Sequence, residues 1–368
     1  MRTRLSLVKG LVALVFVAAL TGCKDSGQQT NGGTTPPAPN STSPAQTTSA
    51  GDKPTFKVIT NGISPFWDSM GKGLEAAKKE VPVSDKTDWQ APSAPYDNNA
   101  QVKVFKDAIA QKVDGIAVSV IEAKALAPTI DEAIDAGIPV ITFDSDSEGS
   151  KRLVYLGTNN FEAGKAAGTA ALKLFPNGGK LVAFVGNMSA QNARDRYNGF
   201  KEALKGSKVE FIAEPFEDNK DKGKARKNVE DAITRYQGQG LNGLVGLYSY
   251  NGPAIVGAVK AANLIGKVKI ICFDGEPETL KNLDQGLVDV TVVQKPYEFG
   301  RLSVKLLYLI KKDGGIDKAM EEMKPELEAQ GMKVDMAKHN IDTGVDVITP
   351  ANAKPFLQKL KEKGLEST

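Results

Sequence analysis

Ile138-Pro139-Val140-Ile141-Thr142-Phe143-Asp144 closes the stretch whose reading decides the fold. The stretch begins at Gly115, where Gly115 to Val120 has the β-branched character of a strand. Helical spacing follows around Leu126 to Ala136, and Gly137-Ile138-Pro139 turns the chain into strand Val140 to Phe143. The second half repeats the pattern from Gly243 to Asp274: strand Leu244 to Leu247, helix Ala254 to Asn263, strand Val268 to Phe273, again ending in Phe-Asp. Strands alternating with helices make parallel sheets with right-handed crossovers. Two stretches with one element order predict two similar α/β lobes. Ligands of open α/β sheets bind beyond the carboxyl ends of the strands. Asp144 and Asp274 both stand there, so facing lobes would aim two carboxylates into one cleft.

The same alternation extends outward. Phe56 to Thr60 reads as a strand and Trp67 to Lys79 as a helix ended by Pro82. In the second half, strands Lys180 to Gly186, Val209 to Ala213 and Val288 to Val293 alternate with helices Asn192 to Lys205, Gly223 to Tyr236 and Glu298 to Lys312. Gly314 to Gln330 is charged and helical in pattern, with Ala319, Met320 and Met323 on one side. Ile341 to Ile348 reads as a strand and Pro355 to Lys363 as a last helix.

Composition bounds the function. The chain of 368 residues has 41% hydrophobic and 25% charged residues, a soluble globular balance with length for two domains. A net charge of +3 lacks the basic excess that nucleic-acid binding needs. Arg2, Arg4 and Lys9 precede the apolar run Leu11 to Leu20, which ends in Leu20-Thr21-Gly22-Cys23. This is the layout of an export signal, and the run is shorter than the roughly 20 residues of a membrane span. Lys24 to Lys53 is nearly all Gly, Ser, Thr, Gln, Pro, Asn and Ala, a flexible tether. With Cys23 at the cleavage site, Cys272 has no disulfide partner and reads as a small buried hydrophobe. His339, the one histidine, lies in a polar, Lys-flanked stretch and excludes multi-His metal sites. No GxxxxGK[ST] or GxGxxG marks a strand-to-helix junction, so no nucleotide site is expected.

Further motifs carry a resemblance. Ser64-Pro65-Phe66-Trp67 follows the first strand, Arg196-Tyr197-Asn198-Gly199-Phe200 fits Arg-x-x-Gly-Phe, and Asn251 precedes a helix. Phe273-Asp274-Gly275 and Gln294 complete six motifs in order with the Ile138–Asp144 strand. Together they resemble the periplasmic sugar-binding proteins of the ribose and galactose type, over about Phe56 to Leu309. Leu20–Cys23 resembles the bacterial lipobox, implying cleavage before Cys23 and lipid on its sulfur. The resemblance implies the type I periplasmic binding fold: two Rossmann-like α/β lobes with parallel sheets, joined by a three-strand hinge. It places the N-terminal lobe at 54–158 plus about 295–340, and the C-terminal lobe at 159–294 plus about 341–368. The hinge would cross near Gly157 to Asn160, near Gln294 to Pro296, and once after Gly314.

Sugars present apolar faces and a girdle of hydroxyls. Phe66 and Trp67 suit the faces, although an aromatic pair at a helix start equally suits core packing. Asp144 and Asp274 can each accept two hydroxyl hydrogen bonds, although Asp at such a turn also caps helices. Arg196 supplies a planar fork, and Asn251 and Gln294 each offer one acceptor and two donors. Thr60 and Ser119 align with small polar contact positions. Ser145, Asp218 and Ser64 depart from the ribose pattern of Arg, aromatic and Asn, which leaves the sugar's identity open. The resemblance implies a non-enzymatic, lipid-anchored monomer without cofactor or metal, outside the cytoplasm. It would deliver a monosaccharide to an ABC permease and its ATPase. A sensory receptor for a chemoreceptor or sensor kinase is the alternative, and a glycosidase pair of carboxylates a more distant one.

Overall fold

Short apolar, β-branched runs with no polar alternation belong in parallel strands covered on both faces. The structure, a computed structural model, describes residues 53–94 and 96–368. The export signal, Cys23 and all but the last residue of the tether lie outside the described residues.

The first lobe opens with β1 (Phe56–Ile59), α1 (Pro65–Glu80), β2 (Asp88–Gln90), α2 (Asn98–Ala110), β3 (Gly115–Val118), α3 (Ala123–Asp135), β4 (Val140–Phe143) and β5 (Tyr155–Gly157). The second holds α4 (Asn160–Leu174), β6 (Gly179–Val185), α5 (Gln191–Leu204), β7 (Val209–Phe211), β8 (Phe216–Glu217), α6 (Lys222–Tyr236), β9 (Leu241–Gly246), α7 (Asn251–Ala261), β10 (Lys269–Phe273), α8 (Pro277–Asp284) and β11 (Val290–Val293). The chain returns to the first lobe for α9 (Pro296–Asp313), α10 (Ile316–Ala329), β12 (Lys333–Asp335) and β13 (Asn340–Asp342). It ends in the second with β14 (Asp346–Ile348) and α11 (Ala353–Glu362).

The sheet orders match: β2-β1-β3-β4-β5-β13-β12 in one lobe, β7-β6-β9-β10-β11-β14 in the other. Pairing among β1, β3, β4 and β5, and among β6, β9, β10 and β11, is parallel throughout. Every residue of β1, β3, β4 and β11 is buried. The chain passes between sheets at Thr158–Asn159, Gln294–Lys295 and Thr343–Val345.

Three findings refine the sequence reading. Ile341 to Ile348 is two strands: β13 runs parallel to β5, then Thr343–Val345 carries the chain across to β14, antiparallel to β11. The third crossing therefore falls a few residues beyond 340. Residues after α11 touch both lobes. Ser69 Oγ donates to Ser367 O at 2.8 Å, Ser367 Oγ donates to Pro65 O at 2.8 Å, and Thr368 N donates to Gly275 O at 3.1 Å. Finally, α2, α4 and α8 stand where no helix was read; α2 and α4 are weakly amphipathic, and much of α4's buried face is Ala and Gly.

Candidate functional site

The first βα turn starts the site. Pro65 has its fixed φ suited to the first helical turn, and Ser64 precedes it without using its hydroxyl as a cap. That leaves Ser64 on the wall of the cleft between the lobes. Phe66 and Trp67 follow, edge to face at 4.8 Å. Both line the cleft, and both pack inward, Trp67 on Phe143 at 5.9 Å and Phe66 on Phe299 at 6.3 Å. The core and wall roles coexist.

Asp144 and Asp274 sit at equivalent places, each the first residue after a central strand. Each takes a left-handed backbone, with φ of 58° and 60°. Such a conformation is uncommon outside glycine and concentrates at ligand clamps. Each amide is held by the next strand, Asp144 N on Leu156 O and Asp274 N on Val292 O. Both side chains are 5% exposed and line the cleft. Neither caps a helix: a loop follows Asp144, and Glu276 holds the N-cap position of α8.

Their partners differ. Asp144 accepts from Ser119 Oγ at 2.8 Å. Burial pushes its carboxyl up to about 6, against the opposing pull of Ser119, Arg196 and Lys220. Asp274 accepts from Gln294 Nε2 at 2.9 Å and lies 3.8 Å from Arg196 Nη1. Burial raises its carboxyl too, while Arg196 and Gln294 hold it down. Among the described residues, Gln294 Oε1 is buried without a hydrogen-bond partner. Arg196, 2% exposed, donates from Nε to Asn160 at 2.9 Å and from Nη1 to Leu247 O at 2.8 Å. Its guanidinium stacks 4.8 Å from the Phe273 ring centre. Among the described residues, its Nη2 makes no hydrogen bond.

Of the expected residues, Ser64, Phe66, Trp67, Asp144, Ser145, Arg196, Asp274 and Gln294 line one cleft. Four do not. Thr60 is fully buried and its hydroxyl donates to Gly62 O. Ser119 is fully buried and serves Asp144. Asp218 and Asn251 bond each other at 3.0 Å beneath the wall. Asp218 also accepts from Tyr250 Oη at 2.7 Å and from the amide of Lys220 at 2.7 Å. A carboxylate so fully engaged positions its neighbours instead of meeting a guest. The wall instead includes Asn61, Tyr96, Asn192, Lys220, Tyr248 and Tyr250, none singled out from sequence. Tyr248 and Tyr250 had a readable signal: they follow the carboxyl end of β9, where guests of such sheets bind.

Elsewhere, Cys272 is fully buried and burial pushes its thiol up to about 12, which makes it an inert core residue. His339 is partly exposed and pairs with Asp317 at 2.8 Å. No helix among the described residues is long and apolar enough to cross a membrane.

Two doubly covered, mostly parallel sheets, three passes between them and one shared cleft define a two-lobed solute-binding protein. The chain belongs to the periplasmic binding protein domain family, whose pattern matches residues 56–315. The ribose import binding protein of Bacillus subtilis is 24% identical over 269 residues, 71% of this chain and 83% of its own. An ABC transporter solute-binding protein from Burkholderia graminis, solved with D-arabinose, superposes with a TM-score of 0.71 at 29% identity, covering 82% of this chain and 96% of that one. XylFII superposes at 0.68 with 28% identity, covering 81% and 98%, and has also been solved as a XylFII-LytSN complex.

Proposed function

We propose that this protein captures a monosaccharide between its lobes and delivers it to an ABC-type sugar importer, working outside the cytoplasm as a lipid-anchored monomer. One observation carries the reading: a buried carboxylate from each lobe, Asp144 and Asp274, at equivalent positions on one aromatic-walled cleft. A guest bridging them touches both lobes, and only differential affinity for the closed form moves such an equilibrium. The unpartnered Gln294 Oε1 asks for a hydroxyl donor, and Arg196 Nη2 offers a donor to a hydroxyl oxygen. Phe66 and Trp67 cover a C–H face. The D-arabinose of the Burkholderia graminis structure supports a guest of this class. The anchor rests on the Leu20–Cys23 motif: Cys23→Ala releases the protein from membranes if the motif is used.

Thermal-shift screening of the purified protein against pentoses and hexoses tests the proposal. A bound sugar raises Tm through mass action, and a panel without any shift overturns the reading. The XylFII-LytSN complex favours a second reading, in which the loaded receptor presents itself to another protein for sensing. Sugar-stimulated ATP hydrolysis by a reconstituted permease supports delivery. No stimulation with a tight-binding sugar supports sensing.

A further inference from the structure

Lys220 and Tyr96 occupy matching places in the two lobes. Tyr96 immediately precedes Asp97, which caps α2; Lys220 immediately precedes Asp221, which caps α6. Each takes a left-handed backbone, with φ of 62° and 65°. Two such bulky residues in that conformation are held by their surroundings. Tyr96 N donates to Asn61 O at 3.1 Å. Lys220 N donates to the buried Asp218, which Tyr250 and Asn251 fix in turn. The two side chains then meet across the cleft, the Lys220 ammonium 3.7 Å from the centre of the Tyr96 ring. Both also line the cleft itself.

Resting on the receptor reading above, we propose that Lys220 and Tyr96 form a clasp that retains the guest. The ammonium seats on the ring only when the lobes are together, so the contact adds stability to the closed form alone. A contact of this kind acts on release more than on capture. Partial desolvation strengthens a cation–π contact. Burial lowers the Lys220 ammonium to about 8, while Asp144 from the facing lobe and Asp218 from its own loop favour the charged form. The Tyr96 hydroxyl, pushed up to about 12 by burial, stays neutral through this range. The buried Asp218 thus has a role other than touching sugar: it aims Lys220.

Two measurements decide the matter. In the full chain carrying Tyr96→Cys with Lys220→Cys, a short bis-maleimide is expected to give an intramolecular cross-link that neither single variant gives. Absence of that product overturns the contact, whatever the guest. In parallel, release is followed by stopped-flow tryptophan fluorescence, using whichever of D-ribose, D-arabinose, D-xylose, D-allose, D-glucose or D-galactose shifts Tm most. Lys220→Met and Tyr96→Leu are each expected to speed release about tenfold, with the double variant no faster than either. Lys220→Arg and Tyr96→Phe keep cation and ring and retain slow release. Wild-type release quickens as pH rises through about 8, and that step is absent in Lys220→Arg. Additive effects of the two truncations, or unchanged release in Lys220→Met, overturn the clasp. If no sugar shifts Tm, the receptor reading fails and the cross-link alone decides whether the lobes meet there.

Discussion

Asp144 and Asp274 are alike in position and unlike in charge environment. Asp144 is satisfied by one hydroxyl, so burial dominates and lifts its carboxyl to about 6. A guest hydroxyl donates to the ionised form, and protonation competes with it. Affinity is therefore expected to fall as pH drops below about 6, by up to about tenfold per unit, and calorimetry across pH 4.5–7.5 in the ~0.5-unit steps this slope requires should find the dependence flattened in Asp144→Asn. Stability runs the opposite way. The folded state binds the proton more tightly than the unfolded chain does, so this carboxyl's contribution to stability is lost as pH rises from about 4 through about 6. Asp274 has Gln294 and Arg196 beside it. Truncating it leaves a buried guanidinium facing the guest alone, and Asp274→Ala is expected to lose about 2–5 kcal/mol of affinity. Unchanged affinity in that variant would remove Asp274 from the site. Both aspartates were legible because each ends a strand repeated in the sequence. Asp218 misled because alignment gives its place in the chain, while its orientation depends on Tyr250 and Asn251, which trap it below the wall.

The helices pack in two equivalent pairs, α1 on α9 and α4 on α5, and glycine sets how closely. A Cβ on Gly199 of α5 would stand 1.9 Å from the carbonyl oxygen of Phe161 in α4. In the first lobe a Cβ on Gly73 of α1 would stand 1.8 Å from the Tyr297 carbonyl in α9. The obstacle is backbone, so no rotamer relieves it. Gly199→Ala should cost at least about 1–3 kcal/mol, lowering Tm by several degrees in a scanning calorimeter. Because α5 carries Arg196 one turn away, affinity should weaken as well. An unaltered Tm would mean the helices can part at no cost. This packing explains the Arg-x-x-Gly-Phe motif: the glycine brings α5 close enough for Arg196 to reach the cleft. It also marks where sequence reading stopped. Strands such as Val140–Phe143 and helices with strong apolar faces were readable, whereas α4 buries much of its face as Ala and Gly, which carry little hydrophobic pattern. The short β2 and β5, three residues each, fall below what periodicity can reveal.

At the scale of the molecule, the lobes are joined at three chain passes and met again by the segment after α11. The duplication predicts that each lobe contributes one acidic side chain, and that neither lobe alone can hold the guest. Closure then depends on contacts to both sides. Each carboxylate supplies charge-assisted hydrogen bonds worth about 1.5–3 kcal/mol, against the roughly 5.5 kcal/mol that moves a two-state balance from mostly open to mostly closed. Removing either carboxylate should therefore leave a sugar-loaded protein only partly closed. Small-angle scattering at saturating sugar should find the radius of gyration of Asp144→Ala and of Asp274→Ala between the free and loaded wild-type values. A variant that binds sugar weakly yet closes fully would show that one lobe drives closure without the other. The pairing of Asp144 with Asp274 would then be a legacy of duplication with no part in the motion.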